Sequence, residues 1–207
     1  EVVGRNIRLS LPDRRGDIEG GFLLRTGAEQ AAADKRFDLS LSMRDMDASL
    51  ARTFIPCLIV SAGICDWVGN SVQGGRIREG SYDFSHFLNP ESGDQEEISR
   101  LHLELEQGVV SFAPQWPAAE EVKATLTLDG SVLDVAIHQA TLAGTPLEDA
   151  RVWIPPAESG ETVLQVQAQA DLSAEQVGAW LQQPVLKEAA GSIVDDWLLE
   201  GQFQTDV

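Results

Sequence analysis

The 207-residue chain is poor in the residue types on which many recognisable binding sites depend. It has 15 basic residues against 33 acidic ones, and its formal net charge is −18. Contacts with phosphates need clustered lysine and arginine, so this balance argues against nucleic acid as a partner. It also argues against docking on an anionic bilayer through a basic patch. We interpret the scattered acidic residues as a source of solubility.

Long apolar runs are also lacking. The longest one, Phe54 to Cys65, is too short for a transmembrane helix and contains Pro56. We expect no secretory leader within these residues, because Glu1 is followed at once by a strand-like segment. We therefore expect either a cytoplasmic protein or an excised piece of a longer one. The excised piece is favoured because the chain begins within one strand-like segment and stops soon after another.

Cysteine is scarce, with only Cys57 and Cys65 in the sequence. The two can pair in an oxidising compartment or serve as two small buried thiols. Neither lies in a metal-ligand spacing such as C-x-x-C, so they do not predict a metal site.

Catalytic and cofactor motifs are missing too. The neighbouring carboxylates of Glu120 and Glu121 should diverge on a strand, whereas acid–base catalysis needs two carboxyls that converge across a cleft. His86, His102 and His138 are far apart in the sequence, and His102 is expected on a solvated strand face. No G-x-S-x-G or phosphate-loop pattern occurs. The sequence therefore predicts no enzyme, no catalytic residues, no metal site and no cofactor.

What the chain does contain is a repeated alternation of apolar and polar residues. The run Leu101-His-Leu103-Glu-Leu105 is one instance among several between Leu101 and Ala170. Side chains alternate between the two faces of a strand, so each such run predicts a ribbon with one apolar face and one polar face. The same alternation predicts three strands within the first 43 residues.

The period changes to that of a helix in two regions. Asp47 can cap a short helix that runs from Leu50 to Phe54. A second helix is predicted from about Ser61 to Val72, with one apolar side formed by Ile64, Trp67, Val68 and Val72. Further along, Ser173 and Gln176 have the spacing of a capping box at the start of another helix.

We interpret residues 1–207 as one β-rich module. Segments 46–82 and 172–203 share an order of cap, helix, proline, helix and strand, and this order suggests an internal repeat. The acidic, Gly- and Pro-containing segment 85–97 is predicted to be a loop.

An ordered set of short motifs from Gly74 to Leu186 carries a family resemblance. The set is Gly74-Gly75-Arg76-Ile77, Gly108-Val-Val-Ser-Phe112-Ala-Pro114-Gln-Trp116-Pro117, Leu128-Asp-Gly130, Val152-Trp-Ile154-Pro155 and Gln183-Pro184-Val185-Leu186. This order resembles the large periplasmic AsmA-like proteins of Gram-negative bacteria, specifically the YhdP group. Phe112 stands where that group usually has Tyr.

The resemblance implies a mainly β fold with a few short helices (α+β). It implies a highly twisted, curled antiparallel sheet that forms an apolar trough. The chain would be a periplasmic segment of a bridge-like protein anchored to the inner membrane, which carries phospholipid between the inner and outer membranes. The implied partners are phospholipid acyl chains and other envelope proteins, but not nucleic acid. Membrane contact would be made only by parts of the full-length protein outside this chain.

On this reading, the apolar side chains of the ribbons face lipid. They are Leu101, Leu103, Leu105, Val122, Leu126, Leu128, Leu133, Val135, Ile137, Leu164 and Val166. Periodicity alone leaves an alternative open, a closed β-sandwich-like adaptor or scaffold domain that acts in envelope biogenesis through protein contacts. A core face and a lipid-binding face have the same alternation, so the pattern does not separate the two.

Overall fold

The protein is mainly β, as predicted. The computed structural model describes residues 1–11, 16–26, 35–50, 62–88, 95–112, 116–130, 132–154, 165–183 and 202–206. These described residues form ten strands: β1 Val2–Ser10, β2 Asp17–Arg25, β3 Lys35–Asp47, β4 Val72–Leu88, β5 Gln95–Val110, β6 Ala119–Asp129, β7 Val132–Leu142, β8 Thr145–Ile154, β9 Gln165–Ser173 and β10 Gln202–Asp206. The described helices are a 3-10 turn, Ala48–Leu50, and two α-helices, α1 Ala62–Ser71 and α2 Ala174–Leu181.

All ten strands belong to one antiparallel sheet, whose spatial order is the order of the strands in the sequence. Each strand pairs with the next one along the chain, and β1 does not pair with β10, so the sheet is not closed. No second sheet packs on it among the described residues. The sandwich alternative, which requires two packed sheets, is therefore not the architecture of this part of the chain.

The strand register places the apolar ribbons in continuous rows across the sheet. Directly paired residues form one row through nine strands: Leu9, Ile18, Met43, Gly80, Leu103, Leu126, Val135, Val152 and Val166. We call this the central row, and the face that carries it the inner face. Gly80 is its one residue without a side chain; a Cβ there would lie 2.6 Å from Leu103 Cδ2. With strands about 4.8 Å apart, the row is about 38 Å long.

A parallel row on the opposite face, which we call the outer face, is polar except for Trp153 on β8. Its paired residues are Arg8, Glu19, Ser42, Ser81, His102, Thr127, Asp134, Trp153 and Gln165. His102 thus lies on the solvated face, as predicted. The sheet has one apolar face and one polar face along the whole of this register.

Irregular strand positions bend the sheet. Asn6, Gln107, Glu121 and Asp149 all have positive φ angles, between 51° and 54°. Each lies within a register shift of its strand, in β1, β5, β6 and β8 respectively. A bulge of this kind bends the strand and increases its right-handed twist, so a series of them curls the sheet.

The burial pattern agrees with a curled sheet. Met43, Tyr82, Leu128 and Leu133 on the inner face are all buried, although the described residues include no second sheet to cover them. They belong to apolar clusters that draw on several neighbouring strands at once. The inner face therefore folds around its own side chains and around those of the helices.

The helical predictions can be compared with the structure in three places. The Asp47 carboxylate accepts the Ser49 backbone N–H at 3.0 Å, so the predicted cap is confirmed, on the 3-10 turn. Residues 51–54 of that predicted helix lie outside the described residues. Helix α1 confirms the second prediction almost to its ends. At α2, the Ser173 hydroxyl and the Gln176 side chain form the predicted capping box.

The predicted acidic loop 85–97 is wrong at both ends. Strand β4 continues to Leu88 and β5 begins at Gln95, with Ser85 paired to Ile98 and Phe87 to Glu96. The acidic side chains at 96 and 97 are exposed, so a strand holds them without burying charge. Only residues 89–94 are left for the connection.

The proposed internal repeat is compatible with the topology, but it stays a prediction. The 3-10 turn and α1 lie between the paired strands β3 and β4, and α2 lies between the paired strands β9 and β10. Most of the second helical segment, residues 184–201, lies outside the described residues.

Candidate functional site

The inner face brings together ten of the eleven residues predicted to face lipid. Strand pairing joins Leu101 to Leu128 and Leu133, and Leu105 to the row of Ile137. Leu103, Leu126, Val135 and Val166 lie in the central row, and Val122 packs with the inner-face cluster of β6 to β8. Leu164 lies outside the described residues.

These ten residues differ strongly in exposure. Leu133 is 1% exposed, and Leu128 and Val122 are also buried. Val166, on β9, is 49% exposed. The remaining six are half-buried: Leu101, Leu103, Leu105, Leu126, Val135 and Ile137. Whether they contact lipid stays a prediction, and in this conformation the central ones contact protein.

Helix α1 supplies much of that protein contact. Val68 is 6% exposed and packs in one cluster with Leu128, Leu133 and Ile154. Trp67 and Val72 pack against the same cluster, so the helix face predicted to be apolar does face the sheet. The indole N–H of Trp67 donates to the Phe112 carbonyl at 3.1 Å. Helix α1 therefore lies on the inner face, over strands β6 to β8.

Helix α2 covers a second part of the inner face. Trp180 packs against the cluster that contains Val122, Leu142 and Leu147. Its indole N–H donates to the Thr145 hydroxyl at 2.9 Å, and Thr145 is only 1% exposed. A buried hydroxyl needs a hydrogen-bond partner, so this contact fixes where Trp180 lies on the sheet. Each helix thus packs against a part of the inner face of the central strands.

The first strand presents an uncovered part of the same face. Its paired register places Ile7 and Leu9 on the inner face, and Leu9 is 52% exposed. Val2 and its partner Leu24 are exposed as well. The sequence predicts this strand and its alternation, but the strand's apolar residues are not among those predicted to face lipid. The signal was available, because Ile7, Leu9 and Leu11 alternate with polar residues just as the later ribbons do.

Ion pairs between neighbouring strands line the outer face. Arg8 lies 2.5 Å from Glu19, Arg78 pairs with Glu104, and Arg151 pairs with Asp134. These groups are solvated, so we assign them little stabilising energy. They pair opposite charges on adjacent strands and keep this face hydrated.

The Asp38 carboxylate is held in its charged form on this polar surface. The Arg36 guanidinium donates to it at 2.7 Å, and the Ser85 hydroxyl donates at 2.6 Å. These hydrogen bonds, chiefly the one from Arg36, lower the pKa of Asp38 below its ordinary value. The charge of Asp38 is thus paired with that of Arg36.

Tyr82 places another buried hydroxyl on the inner face, besides that of Thr145. Its ring is buried between β3 and β5, and its hydroxyl lies 3.4 Å from that of Ser99. Burial disfavours the charged phenolate and raises the pKa of Tyr82 above its ordinary value.

Within the described part of the chain, no group of three or more His, Cys, Asp or Glu residues is placed to hold a metal ion. None of the described helices is long and apolar enough to cross a membrane. Cys57 and the side chain of Cys65 lie outside what the structure describes, so their pairing stays open.

Comparison with known families gives one match. The sequence model of the YhdP protein family covers residues 1–207, the whole chain. No significant match is found among curated proteins or among solved structures. The chain belongs to the YhdP family, which confirms the resemblance drawn from the motifs between Gly74 and Leu186.

Proposed function

We propose that this member of the YhdP protein family is a lipid-carrying segment of an envelope protein. Its inner face would hold phospholipid acyl chains in transit between two membranes, and its outer face would face the aqueous periplasm. The full-length protein would be anchored in the inner membrane by parts outside this chain. The proposal includes no catalytic step and no cofactor.

The observation that carries the proposal is the central row. Eight apolar side chains and one glycine follow one another across nine strands without a polar interruption. An ordinary domain core needs an apolar face but gains nothing from a row that runs unbroken through nine strands. Here the row ends in exposed residues, Leu9 on β1 and Val166 on β9.

An apolar row of this kind suits acyl chains because burial is not directional. Each methylene removed from water contributes about 0.8 kcal/mol wherever it lies along the row. Neighbouring positions on the row are therefore close in energy, and a chain can move from one to the next. The polar outer row supports the same function, since it keeps the sheet in solution although the other face is apolar.

The closed-domain alternative is favoured by one set of observations. Leu128, Leu133 and Val68 form a dry cluster with the burial of an ordinary core. A domain that acts only through protein contacts would bind no lipid anywhere on its inner face. The two functions therefore differ in a measurable way.

The test is to purify the chain after secretion to the periplasm of a Gram-negative host, extract it with solvent and analyse the extract by mass spectrometry. We expect co-purified phospholipid. We also expect the chain to take up nitrobenzoxadiazole-labelled phosphatidylethanolamine from vesicles. A lipid-free, monodisperse chain that takes up no labelled lipid would contradict the proposal.

A matched pair of variants locates the uptake. Val166→Glu places a charge on the inner face, and Gln167→Glu places the same charge on the outer face of the same strand, beside Arg151. A charge beside an acyl chain costs enough for uptake to fall roughly tenfold in Val166→Glu. Uptake by Gln167→Glu should match the parent chain. Equal effects of the two variants would show that uptake does not use the inner face.

A further inference from the structure

Leu128, Leu133 and Ile154 form an apolar surface beneath α1, which we call the floor. This is the part of the inner face that the proposed function leaves unexplained. Leu128 and Leu133 lie in the row next to the central row, in the middle of the sheet. A lipid that follows the rows inward from the exposed ends at Leu9 or Val166 must pass this floor. Val68 of α1 already occupies it.

We propose that α1 is a displaceable plug, which occupies the place of an acyl chain on the floor formed by Leu128, Leu133 and Ile154. This inference rests on the proposed function. Lipid would load into the middle of the inner face only when α1 leaves the floor. Without lipid, α1 would cover the floor in the centre of the inner face. With lipid bound there, the floor would be uncovered by α1.

The contact between α1 and the floor is of a kind that lipid can replace. It consists of apolar side chains, Val68 and Trp67 against leucine and isoleucine. The polar contacts described for α1 go elsewhere, from Trp67 to the Phe112 carbonyl and from the Ser111 N–H to the Ser71 carbonyl at 2.8 Å. An acyl chain that takes the place of Val68 would therefore leave no polar group of the floor without a partner.

The chain also provides a pivot directly after α1. Strand β4 begins at Val72, and its pairing with β5 is irregular on both sides of Gly74. Gly74 lies in open space, since a Cβ there would have no neighbour within 4 Å. Gly75 has a φ of 118°, a conformation that favours glycine. To leave the floor, α1 would swing on this segment and give up the pairs of Val72 and Gly74 with β5, while β4 stays paired from Arg76 onward.

The experiment locks the plug with a disulfide. Val68→Cys and Leu133→Cys are combined in a chain where Cys57 and Cys65 are replaced by serine, so that only the designed pair can form. Uptake of labelled phosphatidylethanolamine from vesicles is compared before and after reduction. We expect the oxidised form to take up at least about tenfold less lipid than the reduced form. A second pair, Thr127→Cys with Asp134→Cys, crosslinks β6 to β7 on the outer face and should change nothing.

Uptake that is equal in the oxidised and reduced forms would overturn the plug and leave the lipid-binding function standing. A parent chain that takes up no lipid would overturn both.

A pair of truncations covers the case in which the disulfide variant does not fold. Val68→Ala weakens the hold of α1 on the floor, and Val132→Ala removes the same atoms from an exposed strand position. The plug predicts uptake about threefold faster in Val68→Ala and unchanged in Val132→Ala. Slower or unchanged uptake in Val68→Ala would contradict it.

Discussion

Strand β1 and strands β6 to β8 share one sequence pattern but differ in what covers them. Leu9 and Leu133 both alternate with polar neighbours, and both lie on the inner face. Leu9 is 52% exposed, whereas Leu133 is 1% exposed beneath α1. The alternation thus determines on which face of the sheet a side chain lies. The helices determine whether that side chain contacts protein or stays exposed.

The largest expected difference between the two regions is in stability. Leu133→Ala removes a buried side chain and leaves a cavity under α1, so the free energy of unfolding should fall by about 2–5 kcal/mol. The same substitution at Leu9 should cost less than about 1 kcal/mol, because that side chain is already half in water. Urea denaturation followed by tryptophan fluorescence measures both. Equal losses would mean that β1 is as well covered as the centre.

A smaller effect concerns the hydrogen bond that holds α2 on the central region. Trp180→Phe keeps an aromatic ring but leaves the buried Thr145 hydroxyl without its donor, so stability should fall by about 1–3 kcal/mol. Thr145→Val removes the hydroxyl itself. The loss of stability in the double variant should be smaller than the sum of the two single losses, since both substitutions remove the same contact. Strict additivity in urea denaturation would show that the bond does not form in solution.

At a bulge in the central strands, replacing a residue that has a positive φ by glycine is expected to increase stability. Glu121 is exposed and has a φ of 51°, which costs a residue with a side chain about 1 kcal/mol. Glu121→Gly should therefore raise the free energy of unfolding by up to about 1 kcal/mol. Its neighbour Glu120 has an ordinary strand conformation, so Glu120→Gly should lower stability by about 0.5–1 kcal/mol. If the unfolding temperature shifts in the same direction in both variants, the assignment of Glu121 to a bulge is contradicted.

The smallest effect is a pH dependence at Tyr82, which lies between the two regions on β4. Burial raises its pKa in the folded chain above the ordinary value of about 10 that applies to the unfolded chain. The folded state therefore holds the phenol proton more tightly. This contribution to stability is complete below about pH 10 and is lost as the pH rises through the folded pKa.

Tyr82 is the only tyrosine in the chain, so absorbance of tyrosinate reports on it alone. The folded chain should ionise at a higher pH than the chain in urea, and Tyr82→Phe should remove the corresponding alkaline loss of stability. Ionisation at the same pH in both states would show that the ring is solvated.

The sheet was largely predictable because strand alternation is a local signal. The ribbons around Leu103, Leu126 and Val135 were placed on one face correctly, and strand pairing then aligned them. The capping box at Ser173 and the apolar side of α1 were equally local, and both predictions are confirmed. The Gly74 to Leu186 motifs identified the family, which composition alone would not have done.

The position of the helices was not predictable. Whether Trp67 and Trp180 cap, line or flank the inner face depends on contacts between residues far apart in sequence, such as Trp180 with Thr145. The extent of β4 and β5 was missed for a related reason. Acidic residues such as Glu96 favour a loop locally, but pairing with β4 holds them in a strand with their charges in water.

Photocrosslinking tests the central claim most directly. A benzophenone amino acid is placed at Leu9 or Val166 on the inner face, and at the outer-face neighbours Ser10 or Gln167 as matched controls. The chain is produced in the periplasm of cells grown with radiolabelled phosphate and is then irradiated. The account predicts labelled phospholipid attached at positions 9 and 166 and none above background at 10 and 167. Equal labelling on both faces, or no labelling at the inner positions, would contradict it.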